Sequence, residues 1–509
     1  MCPVSLDTVH EPLSRLQLAI GEVVDLQRAA ALLEWDEQVY MPPGGAPAHG
    51  EMVATIRKTA HEKLTSDEVG RLINELEPAL PSLDSDSDEH RIISVTARDH
   101  RKAVCVPSAF VAEQAQAVSA AQHAWIDARR QSDYSKFRPH LAKLIELKQR
   151  YITFFPPRAH PYDTLLDEFE PGITTADVKA LFAILRPRQV ELIRAIGDRP
   201  PVDDSFLRLP YNEDDLWKFG EEVITAFGFD WTRGRQDRSV HPFATGIGPD
   251  DVRITTRIVP NEPFSLFFGT AHETGHALYE QGIAGSYRRS FLGDGASLGV
   301  HESQSRLWEN LVARSWPFWQ HFFPKLQQRF PAQLGAVSPE QFYRGINKVQ
   351  RSLIRVESDE ATYNLHIMLR VEMEMAMLAG DVTVDDLPAM WNSRMQEYLG
   401  LTPDNDARGI LQDIHWSIGA IGYFATYTLG NLISAQLWNA IGRANPNRDI
   451  EIARGEFAPL LSWLRTNVHQ FGRKYKPQEL VERVTGSRID PEPYLQYLET
   501  KYREVYGIT

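Results

Sequence analysis

The run PFSLFFGTAHETGHALYEQG (263–282) sets the strongest constraint on this chain. It is apolar almost throughout, yet it carries His272, Glu273 and His276 near its middle. Residues four apart lie on one face of a helix, so the two imidazoles point the same way. A helix this apolar is expected to be buried or to line a cleft. Unpaired imidazoles and a carboxylate would be costly there, so the sequence calls for a partner between the histidines. One metal ion held by His272 and His276 supplies it, in the H-E-x-x-H arrangement. Glu273 sits one step round the helix, too offset for a third ligand on the same ion. It is placed to act as general base on a metal-activated water and then to hand the proton to a leaving amine. Zinc with three protein ligands keeps its fourth position for water and brings that water's pKa toward about 7. Asn261-Glu262-Pro263 marks the helix start and Gly282 its stop. The plain alternative is an ordinary amphipathic helix, since five letters with three fixed can arise by chance.

A second helix is expected near GDGASLGVHESQSRLWENL (293–311), and Glu302 there lies 26 residues beyond His276. That separation suits a ligand delivered by the next helix after a loop, and Glu302 is the expected third ligand. The rivals are Glu280, one turn further along the motif helix, and Glu309, which reads as the partner of a surface base.

Most of the remaining chain carries helical periodicity, around 14–35, 110–130, 137–153, 177–196, 305–327, 350–378 and 414–441. DVRITTRIV (251–259) alternates instead, which predicts a strand. Beside a metal helix, such a strand could take up an extended peptide along its edge. PSLDSDSDE (81–89) reads as a loop and no more. There is no fixed-period repeat and no low-complexity linker, so residues 1–509 are expected to form a single domain of helical lobes around one groove. The net charge of −14 argues against nucleic acid as a partner. The Arg288-Arg289 pair reads as solvated surface. Two cysteines, Cys2 and Cys105, form no disulfide framework or metal motif. With no signal peptide and no long apolar run, a cytoplasmic protein without a membrane span is expected.

Six motifs in order resemble the carboxypeptidase Taq, or thermostable carboxypeptidase, family. They are HPF at 241–243, DVRIT at 251–255, HETGH at 272–276, HESQS at 301–305, IRVESD at 354–359 and GILQDIHW at 409–416. LEWDEQVYMPPGGA (33–46) and YDTLLDEFEPG (162–172) are similar to the family's segments as well. Ser358 stands where the family pattern has alanine, while Arg355 and Asp359 are present. The resemblance implies a mainly α, neurolysin-like fold with a deep groove and a small sheet at its wall. It implies a metallocarboxypeptidase that removes single C-terminal residues from peptides with broad specificity. It also implies one divalent ion per chain, zinc or else cobalt, and a homodimer.

A free C-terminal carboxylate needs a cation, and arginine can grip it with two bonds. Arg355 is the first candidate, unless it is spent on Glu357 or Asp359. Arg253 is the second, unless it pairs with Asp251. A donor for the tetrahedral intermediate is sought on a helix expected over 413–431, where Tyr427 comes first and Tyr423 second. His415, Gln412 and His241 are assigned to substrate backbone or to supporting the site, and Asp413 to a helix cap. Two rivals stand: an oligopeptidase or dipeptidyl carboxypeptidase on the same scaffold, and a metal-free helical scaffold.

Overall fold

The computed structural model describes residues 6–259 and 262–508. Among these the protein is mainly α-helical with one small sheet. The periodic segments become helices at Leu6–Val39, Ser108–Gln131, Tyr134–Ile152 and Thr175–Gly197. Asn261, part of the expected start of the motif helix, lies outside the described residues.

Buried apolar side chains form two clusters. The smaller joins the first helices, through residues such as Leu16, Val23, Leu72 and Ile93, to Tyr287, Phe291 and Leu292. The larger surrounds the motif helix Pro263–Gly282 and holds Phe267, Leu278, Trp308, Trp319 and Leu432. That helix is buried on most sides, so its apolar residues pack as the sequence requires.

Three helical expectations are corrected. The segment 305–327 is interrupted: helix Leu298–Arg306 runs into a π-helical turn, Leu307–Val312, before helix Trp316–Arg329 begins. The segment 350–378 starts as a loop with a short 3-10 turn at Arg355–Glu357. Its helix begins at Glu360, where Asp359 Oδ1 accepts from the amides of Ala361 and Thr362 at 3.0 and 3.1 Å. The helix expected over 413–431 exists only as part of Ala425–Ala444. Gly422 at φ 99° breaks the approach to it, and a side chain there would meet the backbone of Leu165.

The sheet holds β1 (Gly234–Arg238), β2 (Ala244–Gly248) and β3 (Asp251–Thr256) in the order β1-β3-β2. β3 lies parallel to β1 and antiparallel to β2. The alternating segment is therefore the central strand, shorter than 251–259. Both its edges are occupied, so it has no free edge for a peptide. The run 81–89 is more than a loop. Ser87 caps the helix Asp88–Cys105, and Asp86 pairs with Arg483 at 2.6 Å. Arg288 and Arg289 are solvated and paired with Asp250 and Asp25. No helix among the described residues is long and apolar enough to cross a membrane.

Candidate metal centre

The motif helix and helix Leu298–Arg306 cross where Gly275 faces the backbone of Gln304 and Ser305. A Cβ on Gly275 would come within 2.5 Å of Gln304 O. On its other side, the Leu298–Arg306 helix meets Gly430 of helix Ala425–Ala444, where a Cβ would lie 2.6 Å from Glu302 Cγ. This double close approach brings Glu302 up to the two histidines. Glu302 Oε2 is 3.7 Å from His272 Nε2 and 3.5 Å from His276 Nε2. One ligand atom from each residue lies within 4.8 Å of the others, a spacing that can hold a single ion.

The other nitrogen of each imidazole is engaged elsewhere. His272 Nδ1 is 2.8 Å from Glu309 Oε2, and His276 Nδ1 is 2.5 Å from His301 Nδ1. His301 Nε2 in turn lies 2.7 Å from Glu280 Oε1. Both Nε2 atoms are thereby turned toward Glu302, which is how outer partners orient histidine ligands. The two other candidate carboxylates lie one contact further out. Glu280 backs His301, and Glu309 backs His272 from a half-buried position rather than pairing at the surface.

Burial would neutralise an isolated carboxylate here. For Glu302 that effect is outweighed by Arg306 and the two histidines, and its pKa falls well below the usual range. Arg306 Nε donates to Glu302 Oε1 at 2.7 Å. Glu309 is likewise pulled down to about 2 against its burial, chiefly by His272 and Arg306. Burial lowers His276 to about 3, so it stays neutral and able to act as a ligand. For His272, burial is overcome by Glu302 and Glu309, which lift it to about 9. Burial pushes Glu273 up to about 7, partly opposed by His272. A carboxyl near neutrality is suited to taking and returning a proton.

Arg355 and Tyr427 meet in one cluster. Arg355 is only 6% exposed, and its guanidinium lies 5.1 Å from the Tyr427 ring. Its ion partner is Asp413, with Nε and Nη2 donating to Oδ1 at 3.0 and 2.8 Å, and not Glu357 or Asp359. Asp413 also takes Arg370 at 2.6 Å, so it is a counterion to two arginines rather than a cap. His415 Nε2 is 3.2 Å from the Tyr427 hydroxyl, and the Tyr423 and Tyr427 rings are 5.4 Å apart. Burial lowers His415 to about 4 and raises Tyr423 to about 12. Gln412 Oε1 accepts from the Arg355 amide at 2.9 Å and from Arg370 at 2.7 Å. Its amide nitrogen donates to three backbone carbonyls. Gln412 therefore holds the Arg355 loop.

Two expected substrate residues lie outside this cluster. Arg253 pairs with Asp251 at 2.7 Å and stacks 4.3 Å from the Trp35 ring of the first helix. His241 is exposed, and its carbonyl accepts from Ser239 Oγ. Sequence reasoning missed the contacts that Glu309, His301 and Arg306 make around these three residues. Helical spacing carried a signal for two of them: Arg306 is four residues and Glu309 seven residues beyond Glu302.

A helical fold with an H-E-x-x-H helix, a facing glutamate helix and a flanking small sheet has the make-up of a metallopeptidase. Residues 15–502 match the profile of the carboxypeptidase Taq (M32) metallopeptidases. The chain is 40% identical to thermostable carboxypeptidase 1 of Thermus thermophilus over 96% of its own length and 97% of that protein. It is 38% identical to carboxypeptidase 1 of Bacillus subtilis, covering 94% and 95% of the two chains. The crystal structure of an M32 carboxypeptidase from Deinococcus radiodurans superposes with a TM-score of 0.94 at 40% identity, covering 98% of this chain and all of that one. The chain belongs to the carboxypeptidase Taq (M32) metallopeptidase family. It is a metallocarboxypeptidase, a hydrolase of peptides that works with a divalent metal ion.

Proposed function

We propose that this enzyme removes single residues from the C-termini of peptides with broad specificity, using one zinc ion per chain held by His272, His276 and Glu302. The fit rests on the donor set: two imidazole Nε2 atoms and a carboxylate oxygen converge, with their other atoms occupied by outer partners. The ion supplies a Lewis acid that brings an attacking water's pKa toward about 7.

The chain's own groups do the rest. Glu273 takes the water's proton and passes it to the leaving amine. Tyr427, beside Arg355 and kept protonated by its burial, donates to the developing oxyanion, with Tyr423 as the second donor.

Arg355 carries the exopeptidase reading. A guanidinium has five N–H donors. In Arg355 three are engaged: Nε and one on Nη2 with Asp413, and one on Nη1 with Tyr363. That leaves one on each terminal nitrogen, enough to grip both oxygens of a C-terminal carboxylate. The family resemblance supports a homodimer, and a chain with only two cysteines suits a reducing, cytoplasmic setting.

The test uses an N-blocked peptide with a free C-terminus and its C-terminal amide, with added zinc and with a chelator. Single free amino acids released from the acid, and lost with chelator, are expected. Internal fragments or dipeptides as the only products would overturn the reading.

A further inference from the structure

A carboxypeptidase that removes one residue at a time needs its carboxylate grip at a fixed distance from its metal. In this fold the two parts stand on different elements. Glu302 is on the helix Leu298–Arg306, while Arg355 is on the turn before the helix Glu360–Ala379. One side chain touches the machinery of both. The Tyr363 ring lies under the Arg306 guanidinium, 4.5 Å from its centroid, and Arg306 donates to Glu302 at 2.7 Å. The Tyr363 hydroxyl accepts from Arg355 Nη1 at 2.9 Å. The ring also packs edge-on against Tyr427, with centroids 6.1 Å apart. Tyr363 is only 5% exposed and sits in the first turn of a helix capped by Asp359, so it has little freedom to move.

The two contacts do different work. The cation–π contact seats Arg306, and through it the Glu302 carboxylate. The hydroxyl takes one Nη1 hydrogen and fixes the rotation of the Arg355 guanidinium about its bond to Asp413. The two donors left over lie in that one rigid plane, so holding the plane aims both. A fork works as a bidentate grip only when both prongs are aimed together.

We propose that Tyr363 is a positioning residue that sets the span between the metal triad and the Arg355 grip, and with it the number of residues removed per cycle. This rests on Arg355 as the carboxylate grip, so Arg355→Ala is measured alongside. Tyr363→Phe keeps the ring under Arg306 and removes only the acceptor. The ratio of kcat/KM for the free-acid peptide to that for its amide is expected to fall roughly tenfold, mainly through KM. Tyr363→Leu removes the ring as well and is expected to release dipeptides alongside single residues. If Arg355→Ala lowers the acid-to-amide ratio and neither Tyr363 variant alters the ratio or the product length, the inference fails while the grip stands. If Arg355→Ala leaves the ratio unchanged, the grip and this inference fall together.

Discussion

Glu309 Oε2 lies 2.8 Å from Nδ1 of His272, on the ring nitrogen that does not face Glu302. The carboxylate comes from the π-helical turn that follows the Glu302 helix, so one continuous segment delivers both Glu302 and the partner of His272. Replacing Glu309 with Gln keeps the shape and removes the charge. Partners of this kind are worth about 10–100-fold in metal affinity or activity. Glu309→Gln is expected to weaken zinc binding by that order in a chelator-competition titration. Unchanged affinity would reduce the contact to an ion pair with Arg306 and Arg314.

Glu302 and Glu280 test which carboxylate is the third ligand. Glu302→Ala removes one of three protein donors and is expected to leave the purified protein short of metal. Glu280→Ala loses only the contact behind His301 and should retain its ion. Metal content by mass spectrometry decides between them. The assignment is wrong if Glu302→Ala keeps full metal and Glu280→Ala does not.

Glu273 offers a cleaner case, because it stands beside the triad rather than in it. Glu273→Gln should keep its metal and lose at least about a hundredfold in kcat. Appreciable turnover in a metal-replete variant would remove Glu273 from the role of general base.

The grip makes its own prediction. Losing a charge-assisted contact to an ionised group costs roughly 1.5–3 kcal/mol, or about ten- to a hundredfold in rate. Arg355→Ala should lose that much kcat/KM on free-acid peptides and far less on the matching amides. An acid-selective loss in Arg253→Ala instead would move the grip to β3.

Glu170 links the fold to pH. Its buried carboxyl accepts from the Gly299 amide at 2.5 Å and from Thr426 Oγ1 at 3.0 Å. Burial raises its pKa from 4.5 to about 7, against the pull of those donors. Below 4.5 both folded and unfolded chains hold the proton. Between 4.5 and about 7 the unfolded chain ionises first, so the stability this group gives the fold drains away as pH rises. Glu170→Gln keeps a carbonyl acceptor and does not titrate. Its Tm relative to the parent should therefore improve by roughly 2–4 °C between about pH 5 and about pH 8. A pH-independent offset would show that Glu170 does not titrate in this range.

The convergence of His272, His276 and Glu302 was legible because their spacing is local or nearly so. His272 and His276 share a helical face, and Glu302 stands on the next helix. The misread residues are those whose meaning depends on distant chain. Glu309 looks like any charged residue on a helix until the fold sets it against His272. Arg355 has acids two and four residues away, yet its partner is Asp413, 58 residues on, because Asp359 spends its carboxylate capping a helix. β3 announces itself by alternation, but its central place does not. GRQDR of β1 and ATGIG of β2 carry no apolar alternation, so nothing in them predicts the strands that cover both its edges.

The clearance around the Glu302 helix has a consequence for the motif itself. Written as H-E-x-x-H, the fourth position accepts any residue. In this chain it is Gly275, whose missing side chain is where the backbone of Gln304 and Ser305 passes, and Gly430 makes the matching room behind Glu302. An alanine at either place leaves every chemical letter of the motif intact while wedging the Glu302 carboxylate away from the imidazoles. Grafting these five letters onto another helix pair would reproduce the spelling but not the metal site, unless the two empty spaces were carried across with them.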